Sequence, residues 1–380
     1  MATADSHRET ARHQYLVGEF DAAIEAQRAA IAIQAKEIGE VLLSDYRQLA
    51  LFLIAAQRST EALEVLLPVV KAKPDHAEMS AILGLVFTNL RRHDEALPHL
   101  KRALEIDDRN YMAADQLTRC YLGKRDIKQT KKYGELSLTI KDTIYRQEDV
   151  ARSMPPLPAF DRAKKQGNVI AFSLWGSNER YLWGALRNCE LAAELYPLWQ
   201  CRYYIDGSVP EQFVKKLDAR GADIRRMPTS TSLYDGLFWR FHVASDEKIS
   251  RFLIRDCDAV INVKECVAVE EWLRSDKHFH IMRDYYSHTD LIMAGMWGGV
   301  SGAIENIEEL IEEFKRTHIR SRIMDQVFLN EAIWPLIREH CLVHDSCFSS
   351  EKSVTFPPYC DLPPGRHIGQ DEYTVLRANS

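Results

Sequence analysis

The strongest constraint on the fold is an internal repeat of 34 residues in the N-terminal part of the chain. Leu49, Leu83 and Leu117 recur at this spacing, and Ala62 and Ala96 share it. Small residues at a fixed helical position let two helices approach closely, and large apolar residues fill the groove between successive pairs. The pattern predicts about three and a half helical pairs.

This period, with a large apolar or aromatic residue three positions after the first small one, resembles the tetratricopeptide repeat. The resemblance covers roughly residues 10–142 and implies an N-terminal helical solenoid, residues 1–142. A generic helical bundle is the alternative. Such a short solenoid implies dimerisation or docking of a partner, so we expect a homodimer or another homo-oligomer to form through the repeats.

The chain changes character after residue 142. The run Met154-Pro155-Pro156-Leu157-Pro158 cannot continue a helix, which predicts a linker over 143–167. Beyond it, short apolar runs alternate with amphipathic stretches, which predicts an α/β domain with a mostly parallel sheet over 168–380. Strands are predicted at 169–175, 201–205, 252–255, 279–282 and 342–343. Helices are predicted at 179–195, 209–220, 264–274, 304–317 and 324–339, and a Gly-rich loop at 293–299.

Charge and composition exclude several classes of protein. Lys and Arg number 49 against 55 Asp and Glu, and the net charge of −6 does not favour binding to nucleic acid or to anionic lipid. The eight cysteines include no C-x-x-C pair, so neither a zinc ribbon nor a thioredoxin-type site is expected. The polar N-terminus and the absence of a long apolar run predict a cytoplasmic protein without a transmembrane segment.

Two carboxylates follow the apolar run at 252–254. In an extended chain alternate side chains share a side, so Asp256 and Asp258 are expected to project together at the end of a buried strand. Hard oxygen ligands of this kind hold Mg²⁺ or Mn²⁺ and leave coordination positions for a diphosphate. A solvated pair of loop carboxylates is the alternative.

Other charged residues could complete a site. Arg180 and Arg187 lie seven residues apart on the helix after the first strand, where they could bind a phosphate or remain solvated. His344 near the chain end is a candidate third metal ligand, although a lone histidine is more often structural. Asp284 and Asp325 are candidate general bases for an acceptor hydroxyl.

Six segments in the second domain carry a further resemblance. They are, in order, FSLWGSNERYLWGALRNCELA, YPLWQCRYYIDGSVP, FWRFHVASDEKISRFLIRDCDAVIN, EEWLRSDKHFHIMRD, AGMWGG and DQVFLNEAIWPLI. Together they resemble bacterial glycosyltransferase domains of the GT-A fold over about 168–348. The resemblance implies a nucleotide-diphosphate sugar as donor and Mn²⁺, or Mg²⁺, held by Asp256, Asp258 and His344.

The order of these motifs is also similar to the retaining glycogenin-like families. That similarity implies that Asp325 and Gln326 lie near the donor sugar or the acceptor. The donor-binding residues that the resemblance and the charge pattern together predict are Ser173, Leu174, Trp175, Arg180, Arg187, Arg255, Asp256, Cys257 and Asp258.

The function predicted from the sequence is a metal-dependent glycosyltransferase that acts on a saccharide or protein acceptor, with retaining and inverting chemistry both open. Two alternatives remain. One is a catalytically inactive tetratricopeptide interaction scaffold. The other is a metal-dependent nucleotidyltransferase or phosphoesterase, which the lack of a Gly-rich P-loop with lysine disfavours.

Overall fold

The computed structural model describes residues 3–38, 42–146, 154–229, 232, 234–318, 321–349 and 353–378. The chain divides into an N-terminal unit that ends at Ile144 and a C-terminal unit that begins at Tyr145, against the predicted boundary at 142. Residues 147–153 of the predicted linker lie outside the described residues. Residues 154–160 have no regular secondary structure.

The described part of the N-terminal unit consists of eight helices. They are α1 (Ala4–Leu16), α2 (Phe20–Ile38), α3 (Leu43–Ala55), α4 (Ser59–Ala72), α5 (Ala77–Asn89), α6 (His93–Ile106), α7 (Tyr111–Gly123) and α8 (Ile127–Tyr145). Each helix from α1 to α6 packs against the next one, and α8 packs on α7 through the stacked rings of Tyr133 and Tyr121. The unit is therefore a helical solenoid, as the repeat predicted.

The turn inside each helical pair shows the repeat most directly. Gln57, Arg91 and Arg125 have positive φ angles of 61°, 58° and 60°, and they are spaced 34 residues apart. In each turn, the backbone amide of the residue that follows the positive-φ residue donates to a carbonyl of the preceding helix, at 2.8 to 2.9 Å. A left-handed residue with such a bond closes the end of a helix, so the same cap recurs in three successive pairs.

Small residues lie where the paired helices meet. A Cβ atom added at Gly84 of α5 would lie 2.3 Å from Cδ2 of Leu100 on α6. Ala62 on α4 and Ala96 on α6, which are equivalent to each other in the 34-residue repeat, are both fully buried. These residues allow the close helix packing that the 34-residue pattern indicated.

The described part of the C-terminal unit carries a sheet of eight strands. They are β1 (Asn168–Leu174), β2 (Gln200–Ile205), β3 (Asp223–Arg226), β4 (Arg251–Arg255), β5 (Phe279–Arg283), β6 (Met296–Val300), β7 (Cys341–Asp345) and β8 (Ser353–Val354). Their order is β3-β2-β1-β4-β6-β5-β7-β8. All strand pairs are parallel except the two that β6 forms with β4 and β5, so the sheet is mostly parallel, as predicted.

Eight α-helices of the described residues lie between these strands or after the last one. They are α9 (Glu179–Leu195), α10 (Glu211–Asp218), α11 (Gly236–Trp239), α12 (Val263–Leu273), α13 (Ile307–Thr317), α14 (Met324–Phe328), α15 (Trp334–Ile337) and α16 (Glu372–Ala378). The single helix predicted at 324–339 is interrupted by a π-helical turn at Leu329–Ile333. An apolar cluster joins β1 and β2 to α9 and α10.

The predicted Gly-rich loop at 293–299 is wrong in its C-terminal half, which forms the buried strand β6. A Cβ atom at Gly298 would lie 2.5 Å from the Phe252 carbonyl, and one at Gly299 would lie 2.4 Å from the Phe279 ring. Glycine therefore permits close packing against the neighbouring strands.

No helix in the described ranges combines the length and the apolar character that crossing a membrane requires.

Leu100→Ala should lower the free energy of unfolding of the helical unit by about 2–5 kcal/mol, because it leaves a cavity beside Gly84. Leu67→Ala, at a position that is 43% exposed, is the matched control and should change it by about 0.5 kcal/mol or less. Urea denaturation of the full chain, followed by far-UV circular dichroism, measures both. Equal losses would contradict the assigned packing.

Candidate functional site

The acidic segment Asp256-Cys257-Asp258 lies directly after β4, in the middle of the sheet. Since β1 and β4 are parallel, the segment lies at the carboxyl edge, where open α/β sheets bind ligands. The Asp256 and Asp258 side chains are 44% and 14% exposed. Cys257 instead turns inward, and its thiol donates to the Ser173 carbonyl at 3.2 Å.

Helix α9 fixes the backbone of this segment. A Cβ atom at Gly184 would lie 2.0 Å from the Cys257 carbonyl oxygen, so only glycine permits this approach. One turn later, Asn188 donates to the carbonyls of Cys257 (3.4 Å) and Ala259 (3.1 Å) and accepts from the Ile261 amide (2.9 Å). Asn188 is fully buried, so these bonds are shielded from water.

Arg180 lies in the first turn of the same helix and binds Asp258. Its Nε donates to Oδ2 of Asp258 at 2.9 Å, and its guanidinium also contacts Asp371 at 3.2 Å. The guanidinium is partly exposed and packs over the Tyr181 ring. Arg180 therefore sits between two carboxylates and remains accessible to a ligand.

Arg240 is a buried arginine that joins Asp256 to Asp325. One Nη atom contacts Asp256, and the other donates to Oδ2 of Asp325 at 3.0 Å. Its backbone amide donates to Oγ of Ser173 at 2.9 Å. Ser173, predicted to bind the donor, thus anchors the residue that orients Asp256.

Burial and charge repulsion shift two carboxyl groups of this cluster. Burial raises the pKa of Asp325 to about 6, although Arg240 opposes the change. The pKa of Asp258 is raised, first by burial and then by the neighbouring Asp256 carboxylate, against the effect of Arg180. Arg180 therefore offsets only part of the combined effect of burial and of the Asp256 carboxylate on the pKa of Asp258.

Gln326 binds the backbone of a neighbouring loop. Its Oε1 accepts from the Ala294 amide, and its Nε2 donates to the Ile292 carbonyl, both at 2.9 Å. These bonds hold the loop next to Gly295, where a Cβ atom would lie 2.0 Å from Oδ2 of Asp256. Gln326 therefore supports the loop that packs on Asp256, and its place near the donor sugar or the acceptor stays a prediction.

The other residues predicted at the end of β1 lie beside the acidic segment with different exposures. The Leu174 side chain is buried in the apolar cluster around β1 and β2. Trp175 is half-buried, and its ring packs on Gly236 and edge-on against Trp239, with centroids 6.0 Å apart. Trp175 therefore forms an aromatic wall near the segment.

Two predicted phosphate-binding arginines point elsewhere. Arg255 is buried; its Nε donates to Glu265 at 3.2 Å and its Nη1 to the Trp297 carbonyl at 3.2 Å. Arg187 lies seven residues after Arg180, about 10 Å further along the helix, and forms an exposed pair with Glu190. Neither guanidinium reaches the acidic segment.

Asp284 is held by three groups of the protein and is not free to act as a base. Its Oδ1 accepts from Lys264 at 2.6 Å and from Ser346, and its Oδ2 accepts from the Ile368 amide at 2.9 Å. Its side chain is 2% exposed. The prediction of Asp284 as general base is corrected to a structural role.

His344 is not brought to Asp256 and Asp258. It lies on β7, which β6 and β5 separate from β4. Its two ring nitrogens bond to His280 (2.9 Å) and Glu271 (3.2 Å), and the ring is fully buried. The prediction that His344 binds a metal together with Asp256 and Asp258 is therefore wrong, and His344 instead bonds to His280 and Glu271.

Asn188, Arg240 and Asp371 belong to the site but were not predicted from the sequence. A single arginine between aromatic residues, in FWRFH, is the sequence signal that could have indicated Arg240, because an isolated charge in an apolar run needs a buried partner. Asn188 had no comparable signal. In the ranges that the structure describes, three or more His, Cys, Asp or Glu side chains nowhere gather in a metal-binding arrangement.

Comparison with known proteins identifies the N-terminal repeats. A family model described as a tetratricopeptide repeat matches residues 47–111. The N-terminal region therefore contains tetratricopeptide repeats. No curated protein matches the chain at a significant level.

Several solved structures are similar to parts of the chain. MamA from Desulfovibrio magneticus RS-1 has 17% identity and a TM-score of 0.32, over 36% of this chain and 75% of that one. YrrB, a tetratricopeptide protein with an unusual peptide-binding site, has 17% identity and a TM-score of 0.32, over 36% and 68%. A mutant O-GlcNAc transferase from Thermobaculum terrenum has 14% identity and a TM-score of 0.40, over 60% and 42%. These scores are too low to carry an argument about function.

Gly184→Ala should destabilise the C-terminal unit by about 1–3 kcal/mol, because the new methyl group collides with the backbone at Cys257. Gly207→Ala is the control, since its nearest neighbour, Oγ1 of Thr229, would be 3.8 Å away. Thermal denaturation should show a decrease of about 2–4 °C per kcal/mol for the first variant. A Tm equal to that of the control would contradict the close approach.

Asp325→Asn should make stability less dependent on pH. The pKa of Asp325 is raised to about 6 in the folded protein, so its contribution to stability is complete below about pH 4 and is lost as the pH rises through 6. The variant should therefore gain up to ~3 kcal/mol relative to the wild type between pH 4 and pH 7. Urea denaturation at both pH values measures the difference, and a difference that does not change with pH would refute the shift.

Proposed function

We propose that the C-terminal unit is a metal-dependent glycosyltransferase that moves a sugar from a nucleotide-diphosphate donor to a saccharide or protein acceptor. The observation that carries the proposal is the position of Asp256 and Asp258. A half-exposed carboxylate and its neighbour lie at the carboxyl edge of a mostly parallel sheet, fixed by α9 and flanked by a partly exposed arginine. The GT-A assignment remains part of this proposal.

The charges of the cluster suit a divalent cation. The carboxylates of Asp256, Asp258, Asp325 and Asp371 outnumber the guanidinium groups of Arg180 and Arg240. Burial, and after it the Asp256 carboxylate, raise the pKa of Asp258, and a bound cation would oppose both effects. Asp256 and Asp258 would hold Mn²⁺ or Mg²⁺, and oxygen atoms of the donor diphosphate and water would complete the coordination. The bound metal would act as a Lewis acid for the departing diphosphate.

Residues of the chain would position the donor and the acidic pair. Arg180 is exposed enough to exchange Asp371 for a diphosphate oxygen, which guanidinium binds with charge-assisted hydrogen bonds. Asp325 is 5% exposed, with Oδ2 on Arg240 and Oδ1 on the Gln326 amide. In our proposal Asp325 is therefore a positioning residue, which orients Asp256 through Arg240.

The tetratricopeptide repeats would serve the transferase as an interaction unit. Repeats of this type present stacked helical pairs, whose surface suits protein contacts. We assign them either the docking of the acceptor or assembly into a homo-oligomer.

Binding of a nucleoside diphosphate together with Mn²⁺ should raise the Tm of the wild type, and Asp258→Asn should remove about half of this increase or more. A ligand at 100 times its Kd adds about 2.7 kcal/mol of stability, and a carboxylate lost from the metal site should weaken binding about tenfold or more. Asp361→Asn is the matched control, because the Asp361 side chain is 76% exposed. A thermal-shift titration with a panel of nucleotides and nucleotide sugars, with and without Mn²⁺, measures the effect.

Two results would count against the proposal. If no pair of metal and nucleotide stabilises the well-folded wild type, the result favours the alternative of a catalytically inactive interaction scaffold. If Asp258→Asn retains the full Mn²⁺-dependent increase, the metal does not bind at Asp258. If the proposal holds, the nucleotide sugar that gives the largest increase in Tm is the donor to test for metal-dependent transfer and hydrolysis.

A further inference from the structure

A buried arginine lies at the amino end of β4, at the edge of the sheet opposite the acidic segment. Arg251 opens the strand, and Asp256 follows its last residue. At about 3.3 Å per residue, an extended segment of this length spans roughly 16 Å. Arg251 therefore does not belong to the site described above.

Arg251 lacks the acidic partner that the other buried arginines have. Its guanidinium donates to the backbone carbonyls of Pro158 and Ser250, and it has no carboxylate partner in the described ranges. The other buried arginines, each in contact with an acidic side chain, are Arg202, Arg240, Arg255 and Arg283. Burial of Arg251 without an acidic partner lowers its pKa, yet a guanidinium group stays charged in a protein. Its positive charge is left without a compensating anion.

Arg251 lines a cavity of about 240 Å³ that holds a second cation, Lys277. The Nζ of Lys277 donates to a backbone carbonyl at 3.2 Å, and within the described part of the chain it too has no carboxylate partner. Leu157, Phe160 and Trp272 supply apolar wall, and none of the described residues lining the cavity is acidic. The cavity thus combines two uncompensated cations with an apolar surface.

We propose that this cavity binds a small organic anion, with its carboxylate or phosphate group at Arg251 and Lys277 and its apolar group against Leu157, Phe160 and Trp272. Guanidinium recognises both acid groups through paired, charge-assisted hydrogen bonds. The volume lies below the roughly 300–1,000 Å³ of pockets for drug-sized ligands, which limits the occupant to a small molecule. The proposal does not rest on the proposed transferase function.

Isothermal titration calorimetry of the full chain tests this site with defined probes. Benzoate and phenyl phosphate carry both an acid group and an apolar ring, acetate and inorganic phosphate lack the ring, and benzyl alcohol lacks the charge. We expect one of the two ring-bearing anions to bind at least tenfold more tightly than the probes that lack one feature. The stronger of the two identifies the acid group.

Two variants separate anion binding from a purely structural role. Arg251→Met keeps the length of the side chain and removes the charge, and it should weaken binding of the best probe tenfold or more. Lys277→Gln leaves the bond from Arg251 to Pro158 intact and should weaken binding about threefold to tenfold. Lys216→Gln, on the exposed face of α10, is the charge-matched control and should bind as the wild type does.

Several outcomes would overturn the proposal. They are no binding of either ring-bearing anion to the wild type, equal binding of benzyl alcohol, and unchanged affinity in both the Arg251 and the Lys277 variants. Arg251 would then only tie the 154–160 segment to the sheet through Pro158. In that case Arg251→Met would lower the Tm, and the probe anions would not stabilise the wild type.

Discussion

The close approach of α9 to the segment after β4 is the contact on which the candidate site depends. The carbonyl of Cys257 occupies the space that a Cβ atom at Gly184 would need. Asn188, one turn further, satisfies three backbone groups of the same segment. The helix and the strand end thus hold each other in one arrangement. Because Arg180 begins this helix, the packing also sets the contact between Arg180 and Asp258.

Charge is distributed unevenly between the two edges of the sheet. At the carboxyl edge, carboxylates outnumber the arginines that contact them, and the pKa of Asp258 is raised in part by Asp256. At the amino edge, Arg251 is buried with only carbonyl partners in the described ranges. A low-dielectric interior makes uncompensated charge costly, so each edge favours a ligand of opposite sign. The cation and the anion proposed above follow from this one electrostatic argument.

Local patterns in the sequence predicted much of the architecture. The 34-residue spacing predicted the helical pairs, and apolar runs located five of the strands. The same reasoning failed at β6, because Gly298 and Gly299 are unfavourable in an isolated strand and fit only between Phe252 and Phe279. It also failed for Arg255 and His344, whose side chains could be placed only when the packing of α12 against the sheet was known.

The sequence by itself determined the repeat unit, the alternation of strands and helices, and the position of the acidic segment after a buried strand. Each of these depends on residues close together in the chain, whose periodicity the sequence contains directly. Only the tertiary structure decided which charges meet, because Arg180 and Asp258 are 78 residues apart and Arg240 and Asp325 are 85 residues apart. Such pairs depend on strand order and on the packing of helices against the sheet, and local periodicity specifies neither.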